Sequence, residues 1–126
     1  MAQGEIRGNT VQARSTDTFG RVLCNTRNHH FIVDGPVQNG CPGEAVTPAE
    51  LFLAGIAACG VELVQVIARE EKLSVRAVTV EIEGMRDPSK PVRRDVTVFN
   101  TVRLRFDVKG VTQQQAGLLI DRFKGR

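Results

Sequence analysis

The stretch Thr47-Pro-Ala-Glu-Leu-Phe-Leu-Ala-Gly-Ile-Ala-Ala-Cys59-Gly60-Val-Glu-Leu-Val-Gln-Val-Ile-Ala68 decides how this chain folds. Thr47 is a good helix N-cap, Pro48 suits the first helical position, and Glu50 completes a T-x-x-E capping box. Val46 and Leu51 stand where a hydrophobic staple would pin the entry. The pattern predicts a helix running to about Lys72. Its first half is apolar on every side, which predicts burial all round. Ala54, Gly55, Ala57, Ala58 and Gly60 are small enough to let another backbone come close. Each interior glycine costs about 1 kcal/mol relative to alanine, and close packing against a neighbouring helix is the expected compensation.

Upstream, Arg21–Asn25 and His30–Val33 are rich in β-formers and bounded by Gly, Asn and Asp, so residues 4–34 read as short strands with turns. Residues 35–46 carry Gly-Pro, Asn-Gly and Pro-Gly pairs and read as a loop. Downstream, Val78, Val80 and Ile82 alternate with Thr79, Glu81 and Glu83, a half-buried strand. Val96, Val98, Val102, Leu104, Phe106 and Val108 share one parity, which predicts a long antiparallel strand with one wet face. Thr112 and Gln115 form a second capping box, opening a short helix over about 112–123. Segregated strands and helices predict an α+β class, with the central helix at about 47–72 and residues 1–126 as a single domain.

Composition narrows the function classes. The chain has 126 residues, 41% hydrophobic and 25% charged, which suits a folded globular protein. Six Phe with no Trp or Tyr is a poor stock of stacking platforms for single-stranded nucleic acid. The net charge is +3, and the densest basic run, Arg86 to Asp95, contains acids and prolines. It reads as a solvated turn, since a polyanion patch needs a basic face built from several elements. The N-terminus has no apolar core of a secretory signal. The longest apolar run, Leu51 to Val61, is 11 residues, short of a bilayer span. These features predict a soluble, cytoplasmic protein that engages neither membrane nor nucleic acid.

Three cysteines, at 24, 41 and 59, form an odd set without a CxxC pair, so free thiols are expected in a reducing compartment. Cys59 lies mid-helix, where a cysteine commonly packs as a small hydrophobe. Reactivity there requires a cationic neighbour and a route for substrate. His29 and His30 are adjacent on a candidate strand and point to opposite faces, so no metal site is expected. The glycine-rich loop has neither P-loop nor dinucleotide pattern, and no cofactor is expected.

Asp34-Gly-Pro, the glycine-rich loop, Thr47-Pro-Ala-Glu-Leu-Phe-Leu-Ala-Gly-Ile-Ala-Ala-Cys59 and Leu73-Ser-Val-Arg-Ala-Val-Thr-Val-Glu-Ile-Glu-Gly84 together resemble the OsmC/Ohr family (osmotically inducible protein C and organic hydroperoxide resistance protein). The resemblance spans roughly residues 30–124 and is most specific in the helix. It implies an intertwined homodimer, with antiparallel sheets wrapped around paired buried central helices and active sites at the subunit interface. It implies further that Cys59 is a peroxidatic nucleophile, oxidised to a sulfenic acid by an organic hydroperoxide. In that family an arginine stabilises the thiolate, a glutamate near the helix start orients it, and a later cysteine resolves it for reduction by a lipoyl-type dithiol.

The match is incomplete. The family glutamate directly follows the proline, where this chain has Ala49, and Glu50 comes one residue later, about 100° around the helix. Glu50 is thus a candidate supporting residue whose other role is the capping box. Arg7, Arg14, Arg21 and Arg27 are all candidates for the arginine. No cysteine follows Cys59, so a resolving partner must be Cys41, with the loop folded back, or an external thiol reductant. A Cys-Pro encoded shortly past Arg126 would instead indicate a longer reading frame. Two readings follow: a thiol peroxidase acting in oxidative-stress defence through Cys59, and a non-catalytic dimer binding a small apolar or thiol-reactive ligand at its interface. The absent later cysteine and the displaced glutamate favour the second, while the cysteine at position 59 favours the enzyme.

Overall fold

A computed structural model describes residues 4–95 and 97–125. The chain divides between Leu51 and Phe52 into two compact units. The first holds β1 (Gln12–Ser15), β2 (Arg21–Thr26) and β3 (His29–Asp34). They form one antiparallel sheet in the order β1-β2-β3. Cys24 pairs with Ala13 on one side and Phe31 on the other, and together with Val33 it is buried. Strand alternation therefore puts one face of this sheet inside and leaves the other to water. The loop that follows contains a single 3-10 turn, Val37–Asn39.

Helix α1 spans Pro48–Glu70, 23 residues, close to the predicted bounds. The second unit contains most of it, with β4 (Ala77–Met85), β5 (Thr101–Lys109) and α2 (Gln113–Lys124). β4 and β5 form an antiparallel pair with Val80 opposite Phe106 and Ile82 opposite Leu104. The core is built from Val64, Ile67, Ala68 and Leu119, against which Val78, Phe106, Val108 and Phe123 pack. The rings of Phe106 and Phe123 meet edge to face at 5.4 Å. α2 opens on the expected box: Thr112 accepts from the Gln115 amide, and the Gln115 side chain returns to the Thr112 amide.

Four expectations are corrected. β5 begins only at Thr101, so Val98 belongs to the preceding loop, and Val96 lies outside the described residues. Gly60 serves the sheet rather than a neighbouring helix, because a Cβ there would sit 3.3 Å from the Phe106 ring. Most important, the first half of α1 is not enclosed within one chain: Leu51, Phe52, Ala54, Gly55, Ala58 and Cys59 are exposed. One sheet covers only one side of a helix. The buried positions are Gly60, Val64, Ile67 and Ala68, which share a face in the second half. By length and composition alone α1 is also apolar enough to cross a membrane, contrary to the estimate from the 11-residue run. Its inward face nevertheless packs in the core of an α+β unit.

Candidate active site

The helix entry is built as its residues predict. The Thr47 amide and hydroxyl both donate to Glu50 Oε1 at 3.0 Å, and the Glu50 amide donates back to Thr47 Oγ1 at 3.3 Å. These bonds, the backbone one foremost, hold the Glu50 carboxyl below its ordinary value. The Glu50 carboxylate is therefore engaged in the capping box.

Cys59 follows twelve residues after Thr47 and carries a free, exposed thiol. Phe52, Gly55, Cys59 and Glu62, at spacings of three and four, line one exposed stripe of α1. Cys59 is thus centred on the surface the chain leaves uncovered. Phe52 stacks on Phe99 with ring centres 6.0 Å apart. The Phe99 ring in turn lies over Gly84, where a Cβ would come within 2.8 Å of it. Seven residues of helix separate Phe52 from Cys59, about 10 Å along the axis. The thiol and an aromatic pair therefore share one side of α1.

The first unit holds a charged cluster. Arg21 donates to Asp34 from Nε (2.8 Å to Oδ1) and Nη2 (2.9 Å to Oδ2), and Nη2 also reaches Glu44 Oε1 at 2.8 Å. The amides of Glu44 and Ala45 complete the shell of Asp34 Oδ2 at 3.0 and 2.9 Å. Asp34 is fully buried. The guanidinium first, and then the amides, keep its carboxyl far below the usual range, while Asp34 and Glu44 raise Arg21. Sequence reasoning did not single out this cluster. The signal in the sequence was the acid of Asp34-Gly-Pro at the mouth of a glycine-rich loop.

The other arginine candidates are placed differently. Arg7 pairs with exposed Glu5 at 3.2 Å. Arg14 borders a hollow of about 310 Å³ on the open sheet face, beside Leu23 and His30. Arg27 occupies the left-handed turn between β2 and β3, with φ of 52°. His29 and His30 alternate along β3, opposite Thr26 and Asn25, and so face opposite ways. Among the described residues no three His, Cys, Asp or Glu side chains are grouped to hold a metal ion.

Two compact units with two helices and antiparallel sheets agree with the family that the sequence resembles, and the family model decides the matter: the description "OsmC-like protein" matches residues 41–126. The chain belongs to the OsmC-like protein family. Its fold is similar to that of an OsmC-like protein from Mycoplasma pneumoniae, with TM-score 0.80 and 14% identity, covering 95% of this chain and 82% of that one. An organic hydroperoxide resistance protein OsmC from Legionella pneumophila matches with TM-score 0.71 and 23% identity, covering 94% and 83%. An organic hydroperoxide resistance protein from Elizabethkingia anophelis matches with TM-score 0.69 and 20% identity, covering 96% and 84%. No curated protein matches the chain. At these identities the structural likeness establishes the fold, and the family assignment supports a general peroxide- or stress-related role.

Proposed function

We propose that this OsmC-like chain reduces organic hydroperoxides in oxidative-stress defence, with Cys59 as the nucleophile. The observation that carries the reading is the position of Cys59: a free thiol, exposed in the single chain, on the same side of α1 as the Phe52–Phe99 pair. An apolar surround suits the hydrocarbon part of an organic hydroperoxide. The Cys59 thiolate attacks the O–O bond and takes one oxygen, becoming a sulfenic acid, while the other oxygen leaves as the alcohol after gaining a proton. An external dithiol, such as a lipoyl group, then condenses with the sulfenic acid and releases water. Its second thiol breaks the mixed disulfide, which frees Cys59 and leaves the dithiol oxidised.

The exposed half of α1 is covered, in this reading, by a second copy of the chain, which brings two helices and two thiols to one seam. Burying exposed apolar surface such as Leu51, Phe52, Ala54 and Ala58 is the usual driving force for such pairing. The protein works in the cytoplasm, where its three thiols stay reduced. Thiolate formation calls for a cationic neighbour, and Arg7, Arg14, Arg21 and Arg27 are the candidates to be tested. Replacing each by Gln and following the pH dependence of Cys59 alkylation identifies which.

One observation favours the second reading, a dimer that binds a small apolar or thiol-reactive ligand without turnover. The Glu50 carboxylate is held in the capping box. Treatment with stoichiometric cumene hydroperoxide followed by mass spectrometry separates the two. Selective oxidation of Cys59, absent in Cys59→Ser, supports the enzyme. Oxidation only at Cys24 or Cys41 overturns it in favour of the binding module.

A further inference from the structure

The loop between β4 and β5 carries, besides Phe99, a set of charged residues that the peroxide chemistry does not use. Four cationic residues, Arg86, Lys90, Arg93 and Arg94, stand there with two acids, Asp87 and Asp95. Both acids are occupied locally. Asp87 Oδ1 accepts from the Ser89 hydroxyl at 2.6 Å and the Ser89 amide at 3.0 Å, which holds its carboxyl below its ordinary value. Asp95 takes a two-pronged contact from Arg93, at 3.0 and 2.5 Å. Arg86 and Arg94 are left with no ion pair among the described residues.

The loop is also shaped. Asn100 bridges it, accepting from the Asp87 amide and donating to the Lys90 carbonyl, each at 2.7 Å. Pro88, between those points, and Pro91, just past them, restrict the backbone. The hollow beside it is half open, about 650 Å³, and its lining includes Arg86 and Arg94, Pro91, Val92 and Val98, and the locally paired Asp87 and Asp95. That volume lies within the range of small-molecule pockets, roughly 300–1,000 Å³. The basic residues belong to one concave loop, whereas a polyanion site needs a face built from several elements.

We propose that this hollow binds a small organic anion, a carboxylate with an apolar body, whose head pairs with Arg86 and Arg94 while its body lies on Val92 and Val98. Guanidinium groups recognise carboxylates through paired charge-assisted hydrogen bonds, and valine and proline surface suits a hydrocarbon body. The site is independent of Cys59 and of the proposed reduction.

The test is titration of the full chain with octanoate, octanol and inorganic phosphate, followed by NMR shifts of the backbone amides. Octanoate is expected to saturate and to move resonances between residues 86 and 100. Arg86→Gln/Arg94→Gln should weaken it about tenfold or more, with the spectrum elsewhere unchanged. Cys59→Ser should bind octanoate as the parent does. Octanol lacks the charge and phosphate lacks the apolar body, so each should bind at least about tenfold more weakly. The proposal is overturned if the double variant binds octanoate like the parent or if the shifts map to α1. Octanol or phosphate binding as tightly as octanoate, or no octanoate binding at millimolar concentration, overturns it equally.

Discussion

Arg21 grips the buried carboxylate of Asp34 with two hydrogen bonds, one to each oxygen, 2.8 and 2.9 Å long, joining the start of β2 to the end of β3. Asp34 also receives the amides of Glu44 and Ala45, so a single acid ties the sheet to the far end of the 35–46 loop. The segment that delivers the chain into α1 is thereby fixed by a buried charge with its shell filled.

This arrangement sets a pH dependence. The Asp34 carboxyl is depressed in the folded protein by Arg21 first and by the amides of Ala45 and Glu44. Its contribution to stability is complete above the ordinary aspartate value of about 3.9 and is lost as pH falls below it toward the folded value. Glu50 and Asp87 are shifted the same way and add to the slope. Urea unfolding between pH 7 and pH 3 should show stability falling with acid. Asp34→Asn should be less stable at pH 7 and show a shallower slope. An unchanged slope would refute the assignment.

Cys41 has a packing role that a substitution pair can expose. A Cβ on Gly35 would lie 2.4 Å from Cys41 Sγ and 2.9 Å from its Cβ. Overpacking of this kind costs about 1–3 kcal/mol. Gly35→Ala should therefore destabilise the chain by about that amount, and Gly35→Ala/Cys41→Gly should recover much of it. Denaturant melts of the four members of the cycle measure the coupling.

Thr47 gives a test confined to the helix entry. Its hydroxyl accepts from the Glu50 amide and donates to the Glu50 carboxylate. Thr47→Ala should cost about 1 kcal/mol in chemical denaturation, and Thr47→Ser should cost much less. Equal losses from both would show that the hydroxyl is not the source.

The exposed stripe of α1 predicts self-association. Ala58 neighbours Cys59 on the uncovered side, and an aspartate there places a charge in the proposed seam. Sedimentation should report a dimer for the parent and a shift toward monomer, about tenfold or more in dissociation constant, for Ala58→Asp. A parent that stays monomeric at micromolar concentration refutes the pairing.

Local chemistry determined much of this molecule from its sequence. Thr47-Pro-Ala-Glu50 and Thr112–Gln115 specify two helix starts within four residues each, and both capping boxes form as read. The alternation of Val78, Val80 and Ile82 with polar residues specifies a strand face, since the side-chain period is set by the backbone. The α+β class and the family follow from the order of such segments and the Cys59 helix motif.

Tertiary structure decided what no local pattern carries. Only the packing shows that Arg21, Asp34 and Glu44 meet, because their pairing runs between strands and a loop up to 23 residues apart. Only it separates the covered side of α1 from the open one. Apolarity along a helix records that contact is wanted on every side, but which side the same chain fills depends on where β4 and β5 come to rest. Cys59 therefore stands on open surface rather than in the core.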